Sequence, residues 1–342
     1  MKGFNKFHSY RFVIYFINVS KPDSGIFVVT RSYYDYFRNN SIDSKWINLQ
    51  WDKNINFGDN MIHFKSLVGS GYSINIIRNR FNPKYKFEGI RFYTDHRLMP
   101  TGDENEFMVI HDFFEQGPYI DKWKKKKVID ALKSYGTKII TNSHYTSSLA
   151  KNYGLNVLTE FYPPYLYNYN PKNEKKNMII SVGSNAYRKR PDLIIDFLNK
   201  LDENWTFVRI GGDLSVIGNI NTKANYIFRD HVTLSELNSF YDRSMFLFLP
   251  SEDEGLGLPM IEALHHDVMV IGNIKNKVLE EFSNYNAISI QDEGNFHLPD
   301  YPDPKNFETF KNWYHIKINE QFKIIEKELK KIELSCALGN VV

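Results

Sequence analysis

The sequence predicts an α/β protein of two domains, each a parallel sheet covered by helices on both faces. Three observations carry this. The chain has 342 residues, which is about two domains at roughly 150 residues each. In both halves, short apolar and β-branched runs alternate with stretches of helical periodicity, the pattern of parallel sheets. Between the halves, residues 162–176 (YPPYLYNYNPKNEKK) are rich in Pro, Asn and charge and have no apolar period, as a linker would.

The first strand is expected at residues 11–18 (RFVIYFIN), ending in the turn-forming cluster VSKPDSG at 19–25. Apolar runs at 74–77, 90–93, 107–110 and 138–141 predict further strands. Between the last two, Val128, Leu132 and Tyr135 set a helix over 121–135. Another helix follows Ser143 and stops before Gly154, a glycine suited to the position just past a helix end.

After the linker, residues 178–182 (MIISV) read as a buried strand. Ile194, Phe197, Leu198 and Leu201 follow at amphipathic helical spacing. A strand at 206–210 ends in Gly211, Gly212 and Asp213. Thr233 and Glu236 have capping-box spacing ahead of a helix carrying Leu237, Phe240 and Tyr241. Then come a strand at 245–249, a glycine loop, a helix at 259–266 and a strand at 268–272. In the tail, Phe307, Phe310, Tyr314, Ile318, Phe322, Ile325, Leu329 and Ile332 step by three or four. They predict one long amphipathic helix, or two separated by a kink, whose apolar face needs a docking surface. The expected division is 1–170, 171–305 and a C-terminal helix at 306–342.

Composition excludes several classes. The single cysteine, Cys336, rules out a disulfide framework and a multi-cysteine metal site. No run approaches ~18 apolar residues, so no membrane-spanning helix is expected. Residues 1–10 (MKGFNKFHSY) lack the apolar core of a signal peptide. The expectation is a cytoplasmic protein. The net charge of +3 hides an asymmetry: residues 1–171 hold 23 Lys+Arg against 15 Asp+Glu, and residues 172–342 hold 20 against 25. A basic half joined to an acidic half points to an anionic surface or substrate on one side. The densest basic run is Lys122, Trp123, Lys124, Lys125, Lys126 and Lys127. It reads either as a helix resting on an anionic membrane or as a solvated helix face. Nucleic acid is a third reading, but no dedicated nucleic-acid motif accompanies the run.

The most informative segment is 249–264, LPSEDEGLGLPMIEAL. A strand runs into a loop with Gly255 and Gly257, and Pro259 opens a helix. Glycines let a ligand approach the backbone, and a helix N-terminus offers unpaired N–H groups to a phosphate. Glu254 and Glu262 bracket the loop, which lies outside the carboxyl end of a strand, where α/β sheets collect ligands. The competing reading is an ordinary glycine loop before a helix, with Glu254 solvated and Glu262 a first-turn acid.

The E-x7-E run EGLGLPMIE, from Glu254 to Glu262, resembles the signature of retaining glycosyltransferases of the GT-B fold, specifically family GT4. The resemblance extends to IISVGSNAYRKRPDLII (179–195), VRIGGD (208–213), VTLSELNSFYDRSMFLFLPS (232–251) and VLEEF (278–282). It is weaker upstream, in VIHDFFEQ (109–116) and IITNSHYTSSLAKNYG (139–154). It implies two Rossmann-like domains whose parallel sheets face a central cleft, with the long C-terminal helix crossing back onto the N-terminal domain. It further implies a nucleotide-diphosphate sugar (UDP-, GDP- or ADP-linked) as donor and a carbohydrate or lipid-linked acceptor.

By the same resemblance, Glu254 faces the donor sugar and Glu262 binds the ribose hydroxyls. The backbone at Gly255, Leu256, Gly257 and Leu258 contacts the sugar, and Lys189 binds phosphate. Gly183, Ser184, Gly211, Gly212 and Gly25 lie in loops near the donor. The family usually has an arginine where this chain has Ser184, and Arg188 or Arg190 would then supply the second cation. His111, after the strand at 107–110, would lie near the transferred sugar, and Asp95 and His96 would line an acceptor pocket. No DxD-type metal motif stands in a matching place, so no metal and no cofactor are expected. Three activities compete: a hexose transferase, a nucleotide-sugar epimerase of the same fold, and a non-catalytic carbohydrate-binding relative.

Overall fold

Strands buried on both faces read as continuous apolar runs, and in this chain such runs form the centre of two parallel sheets. The structure is a computed structural model, described over residues 13–18, 24–48, 61–63, 89–95, 100, 102–113, 122–165, 174–290 and 298–339. It divides into two compact units. The first comprises Met1–Phe113, Asp121–Leu166 and Lys317–Val342, and the second Phe114–Ile120 and Tyr167–Ile316.

The sheet of the first unit contains β1 (Val13–Asn18), β2 (Ser44–Asn48), β3 (Met61–His63), β4 (Gly89–Tyr93), β5 (Glu106–Ile110), β6 (Lys138–Thr141) and β7 (Val157–Glu160). Their order is β3-β2-β1-β4-β5-β6-β7, and every neighbouring pair is parallel. Helix α1 (Gly25–Asn39) starts at Ser24, whose side chain accepts from the Phe27 N–H at 3.2 Å. Helix α2 covers Lys122–Ser134. Helix α3 (His144–Asn152) is capped by Ser143, which accepts from the Thr146 N–H at 3.1 Å. Gly154 follows with φ of 72°, the left-handed conformation that ends a helix at little cost to glycine.

The second unit holds β8 (Lys176–Gly183), β9 (Thr206–Gly211), β10 (Asn225–Arg229), β11 (Ser244–Leu249), β12 (Met269–Asn273) and β13 (Ala287–Ile290). The order is β10-β9-β8-β11-β12-β13, again all parallel. Its helices are α4 (Pro191–Leu198), α5 (Leu234–Arg243), α6 (Leu258–His265) and the short α7 (Lys277–Glu280). The capping box at α5 is complete: the Thr233 N–H donates to Glu236 at 2.7 Å and the Glu236 N–H to Thr233 at 3.2 Å. In each sheet the strand order reverses at the first strand, so β8 lies between β9 and β11. Ligands of doubly wound sheets collect outside the carboxyl ends of the strands at that switch point.

The tail is one helix of 36 residues, α8 (Pro304–Gly339), and all eight of its periodic apolar residues are buried. Within the second unit, His265 meets Phe310 and Tyr314 edge-on at 5.0 Å. From Lys317 onward the helix belongs to the first unit. There Phe322 meets Tyr36 and Phe37 edge-on at 5.1 Å, and Gln321 accepts from the Tyr162 N–H at 3.0 Å.

Several elements depart from the sequence expectations. Helix α1 and strands β2, β3, β7, β10 and β13 were not anticipated. Strands β3, β7, β10 and β13 are sheet edges, and β10 is only half-buried along its middle. An edge strand needs no continuous apolar run. Helix α4 ends at Leu198, and Leu201 is buried beyond it. The expected strand at 74–77, most of the turn at 19–25 and the centre of the linker lie outside the described residues.

Candidate functional site

The site of the second unit is assembled by the loops that leave β8, β9 and β11. Gly183 ends β8, and the chain passes through a 3-10 turn (Tyr187–Lys189) to Arg190, which has φ of 50° and precedes Pro191 at the start of α4. After β11, the loop ends in Gly257, whose φ of 75° is the left-handed conformation that favours glycine. Leu258 then begins α6. One backbone bond stitches the two loops, from the Glu252 N–H to the Arg188 carbonyl at 2.9 Å.

Side chains complete the junction. Lys189 Nζ donates to Glu254 Oε1, while Arg188 donates to Glu254 Oε2 at 3.2 Å and to the Asp253 carbonyl at 2.8 Å. Glu254 is 6% exposed. Burial works to raise its pKa, but Lys189 and Arg188 outweigh burial and hold the carboxyl below its ordinary range. Two cations thus face one carboxylate.

Arg190 is engaged differently. It donates to Asp192 at 2.7 Å and to Glu252 at 2.7 Å, and Glu252 also pairs with Lys275 at 3.1 Å. The structure therefore brings Arg188 onto Glu254 beside Lys189 and ties Arg190 into a separate ion-pair network.

Glu262 lies on α6, the helix that follows this loop, and is half-buried. Tyr241 Oη from α5 donates to its Oε2 at 3.0 Å. Burial raises the Glu262 pKa, and the Tyr241 bond offsets part of that rise. Leu256 and Gly255 are buried, and Leu258 is the first residue of α6.

The glycines after β9 are required by close approach. Gly212 N–H donates to the Gly183 carbonyl at 3.0 Å, and a Cβ at Gly212 would collide with Asn185. Gly211 has φ of 106°, and a Cβ there would meet the Gly183 carbonyl. Ser184 Oγ accepts from the Ala186 N–H at 3.4 Å.

One residue was missed. Arg209, in the middle of β9, is 1% exposed and bonds to both glycine-containing loops. The available signal was a charged residue inside an otherwise apolar strand.

In the first unit, His111 follows β5 and is buried. Its Nε2 lies 2.8 Å from the Thr94 carbonyl, so this nitrogen carries the proton and donates it. Gly25 is the first residue of α1. Asp95 is buried two residues past the end of β4, and His96 lies outside the described residues. The basic run falls on α2, where the described side chain of Lys126 is exposed. Among the described residues, no three His, Cys, Asp or Glu side chains are placed to hold a metal. Among the same residues, no helix is long and apolar enough to cross a membrane.

Residues 168–294, which contain this site, match the family described as glycosyl transferases group 1. No curated protein matches the chain. Solved structures match along nearly its whole length. WaaG, a glycosyltransferase involved in lipopolysaccharide biosynthesis, is 14% identical, with TM-score 0.61 and 93% of each chain covered. Anabaena HepE, solved with UDP and glucose, is 11% identical with TM-score 0.63, covering 96% of this chain and 100% of its own. Sucrose-phosphate synthase from Thermosynechococcus elongatus is 12% identical with TM-score 0.63, covering 97% and 100%. The fold is that of the GT-B glycosyltransferases, with two Rossmann-like α/β units. Fold and family match together support glycosyl transfer as the class of chemistry.

Proposed function

We propose that this chain is a retaining glycosyltransferase of the GT4 type that moves a hexose-type sugar from a nucleotide-diphosphate sugar to an acceptor hydroxyl. The observation that carries the reading is the meeting of Lys189, Arg188 and Glu254 where the loops after β8 and β11 join. A leaving diphosphate gains negative charge as the glycosidic bond breaks. Fixed cations at that place stabilise the transition state more than the ground state.

In this reading Lys189 and Arg188 receive the diphosphate, and Arg188 takes the part of the family arginine absent at Ser184. Glu254, relieved of its cations, accepts a sugar hydroxyl, and Glu262 accepts from the ribose. His111 serves the sugar or the acceptor. The two lysine and arginine charges do the work a divalent ion would do, so the reaction runs without a catalytic metal. The acceptor oxygen attacks from the face the diphosphate leaves, and the departing phosphate takes its proton.

The HepE complex with UDP and glucose supports a uridine donor first, with GDP- and ADP-sugars next. WaaG's part in lipopolysaccharide biosynthesis supports a lipid-linked acceptor. With such an acceptor, the lysines of α2 would meet an anionic membrane surface from the cytoplasmic side. The test is turnover of each donor with sugar acceptors, followed by NMR assignment of the product anomer. Retention of the anomer is expected in the wild-type product, and loss of turnover in Glu262→Ala and Lys189→Ala. Inversion would overturn the mechanism, and donor turnover with no acceptor requirement would make the chain an epimerase.

A further inference from the structure

Arg209 is a buried charge whose hydrogen-bond partners are all neutral. Its register partner on β8 is Ser181, and the guanidinium extends from there under the ends of both strands. Nη1 donates to Ser181 Oγ at 3.0 Å. Nη2 donates to the Gly183 carbonyl at 2.6 Å, to the Ser184 carbonyl at 3.2 Å and to Asn185 Oδ1 at 3.3 Å. Nε donates to the Gly212 carbonyl at 3.1 Å. No acceptor among these is a carboxylate.

Burying an arginine is costly unless its hydrogen bonds are satisfied and a counter-charge is near. The first condition is met here and the second is not. Burial pushes the Arg209 pKa down to about 10, so the group stays protonated at neutral pH. A positive charge therefore persists in a low-dielectric place, against the loop that leads to Arg188 and Lys189. An apolar side chain in this strand would satisfy the core without that cost.

The same guanidinium also welds two loops. It holds three acceptors of the 183–185 segment and one of the β9 loop. Asn185 Nδ2 adds a bond to the Asp213 carbonyl at 2.5 Å. Gly212 has no room for a Cβ because Asn185 is held against it. The conformation of the segment preceding Lys189 thus depends on one side chain of the neighbouring strand.

We propose that Arg209 is a positioning residue for the diphosphate: it fixes the 183–185 loop from behind and places an uncompensated positive charge beneath the anion. It touches no substrate. This rests on the reading of the site as a diphosphate-binding site, and deepens it by adding a cation that the spacing of the motif does not contain.

The test uses the full chain with inorganic pyrophosphate as the probe, which is independent of the nucleotide base. Arg209→Lys keeps the charge and loses the fork, whereas Arg209→Met loses both. Losing charge-assisted hydrogen bonds should weaken pyrophosphate by about tenfold in Arg209→Lys, and by more in Arg209→Met. The salt dependence of binding should be shallower in Arg209→Met alone, a readout that a merely structural role would not move. If Arg209→Met does not fold, the affinity of Arg209→Lys decides. Pyrophosphate binding within twofold of wild type in the folded variants, or an unchanged salt slope in Arg209→Met, would overturn the proposal. Wild-type protein that binds pyrophosphate but no nucleoside diphosphate would overturn the donor reading and leave Arg209 its role. Wild-type protein that binds neither would overturn both.

Discussion

Lys189 and Glu254, 65 residues apart in sequence, form an ion pair where the loops after β8 and β11 meet. The pair places an anion of the protein on the cation proposed to hold the donor's diphosphate. Glu254 and a diphosphate would then compete for Lys189 and Arg188, and a bound sugar hydroxyl would give Glu254 a new partner.

Glu254→Gln removes that competitor. Nucleoside diphosphate should bind several-fold more tightly to the variant, while transfer falls by roughly 10²–10³ because a transition-state contact is lost. Calorimetry and turnover on the same preparation separate the two effects. Weaker diphosphate binding in the variant would contradict the competition.

Tyr241→Phe deletes the hydroxyl that donates to Glu262 at 3.0 Å. Burial already raises the Glu262 pKa and Tyr241 opposes it, so the variant's carboxyl should take up its proton at higher pH. The acid limb of nucleotide binding should move upward, with affinity at pH 8 close to wild type. Titrations from pH 5 to 8 would show this, and an unchanged profile would count against a role for Glu262 in binding.

Stability should fall in acid partly through His265. Burial pushes its pKa from 6.5 down to about 4, with the Ile261 carbonyl and Asp267 opposing the shift and Lys311 and His266 adding to it. A group depressed on folding contributes stability above pH 6.5, and this is lost as pH falls from 6.5 toward 4. The loss is on the order of 3 kcal/mol. Urea unfolding at pH 7 and pH 4 should show a smaller acid loss in His265→Phe than in wild type, and an equal loss would contradict the assignment.

Phe322→Ala should cost about 3–5 kcal/mol, as for other buried aromatics. The ring is buried among Tyr36, Phe37 and Phe161 in the first unit. Urea unfolding measures this, and a cost under about 1 kcal/mol would mean the tail helix is not held there.

What could be read in advance was what lies close together in sequence. The Thr233–Glu236 capping box, the long α8 stripe and the Glu254-to-Glu262 segment each declare themselves within a few helical turns. Helix α1 did not, because IFVVTRSYYDYF has the β-branched and aromatic composition of a strand, and its packing against β1 and β2 overrides that preference. The edge strands escaped because they are only three to five residues long, too short to set a period. Arg188 and Arg190 could not be told apart by spacing, since their partners at Glu254 and Glu252 come from another loop. For Arg209 the charge inside an apolar strand was legible but its role was not, because four of its five acceptors lie 24 to 28 residues away, on β8 and the loop that follows it.

The central claim is that the second unit grips a nucleoside diphosphate through Lys189. Calorimetric titration of UDP, GDP and ADP into the full chain and into Lys189→Ala tests it most directly. At least one nucleotide should bind at one site per chain, and Lys189→Ala should weaken it by more than about tenfold. Failure of all three to bind wild-type protein, or equal binding by the variant, would contradict the account.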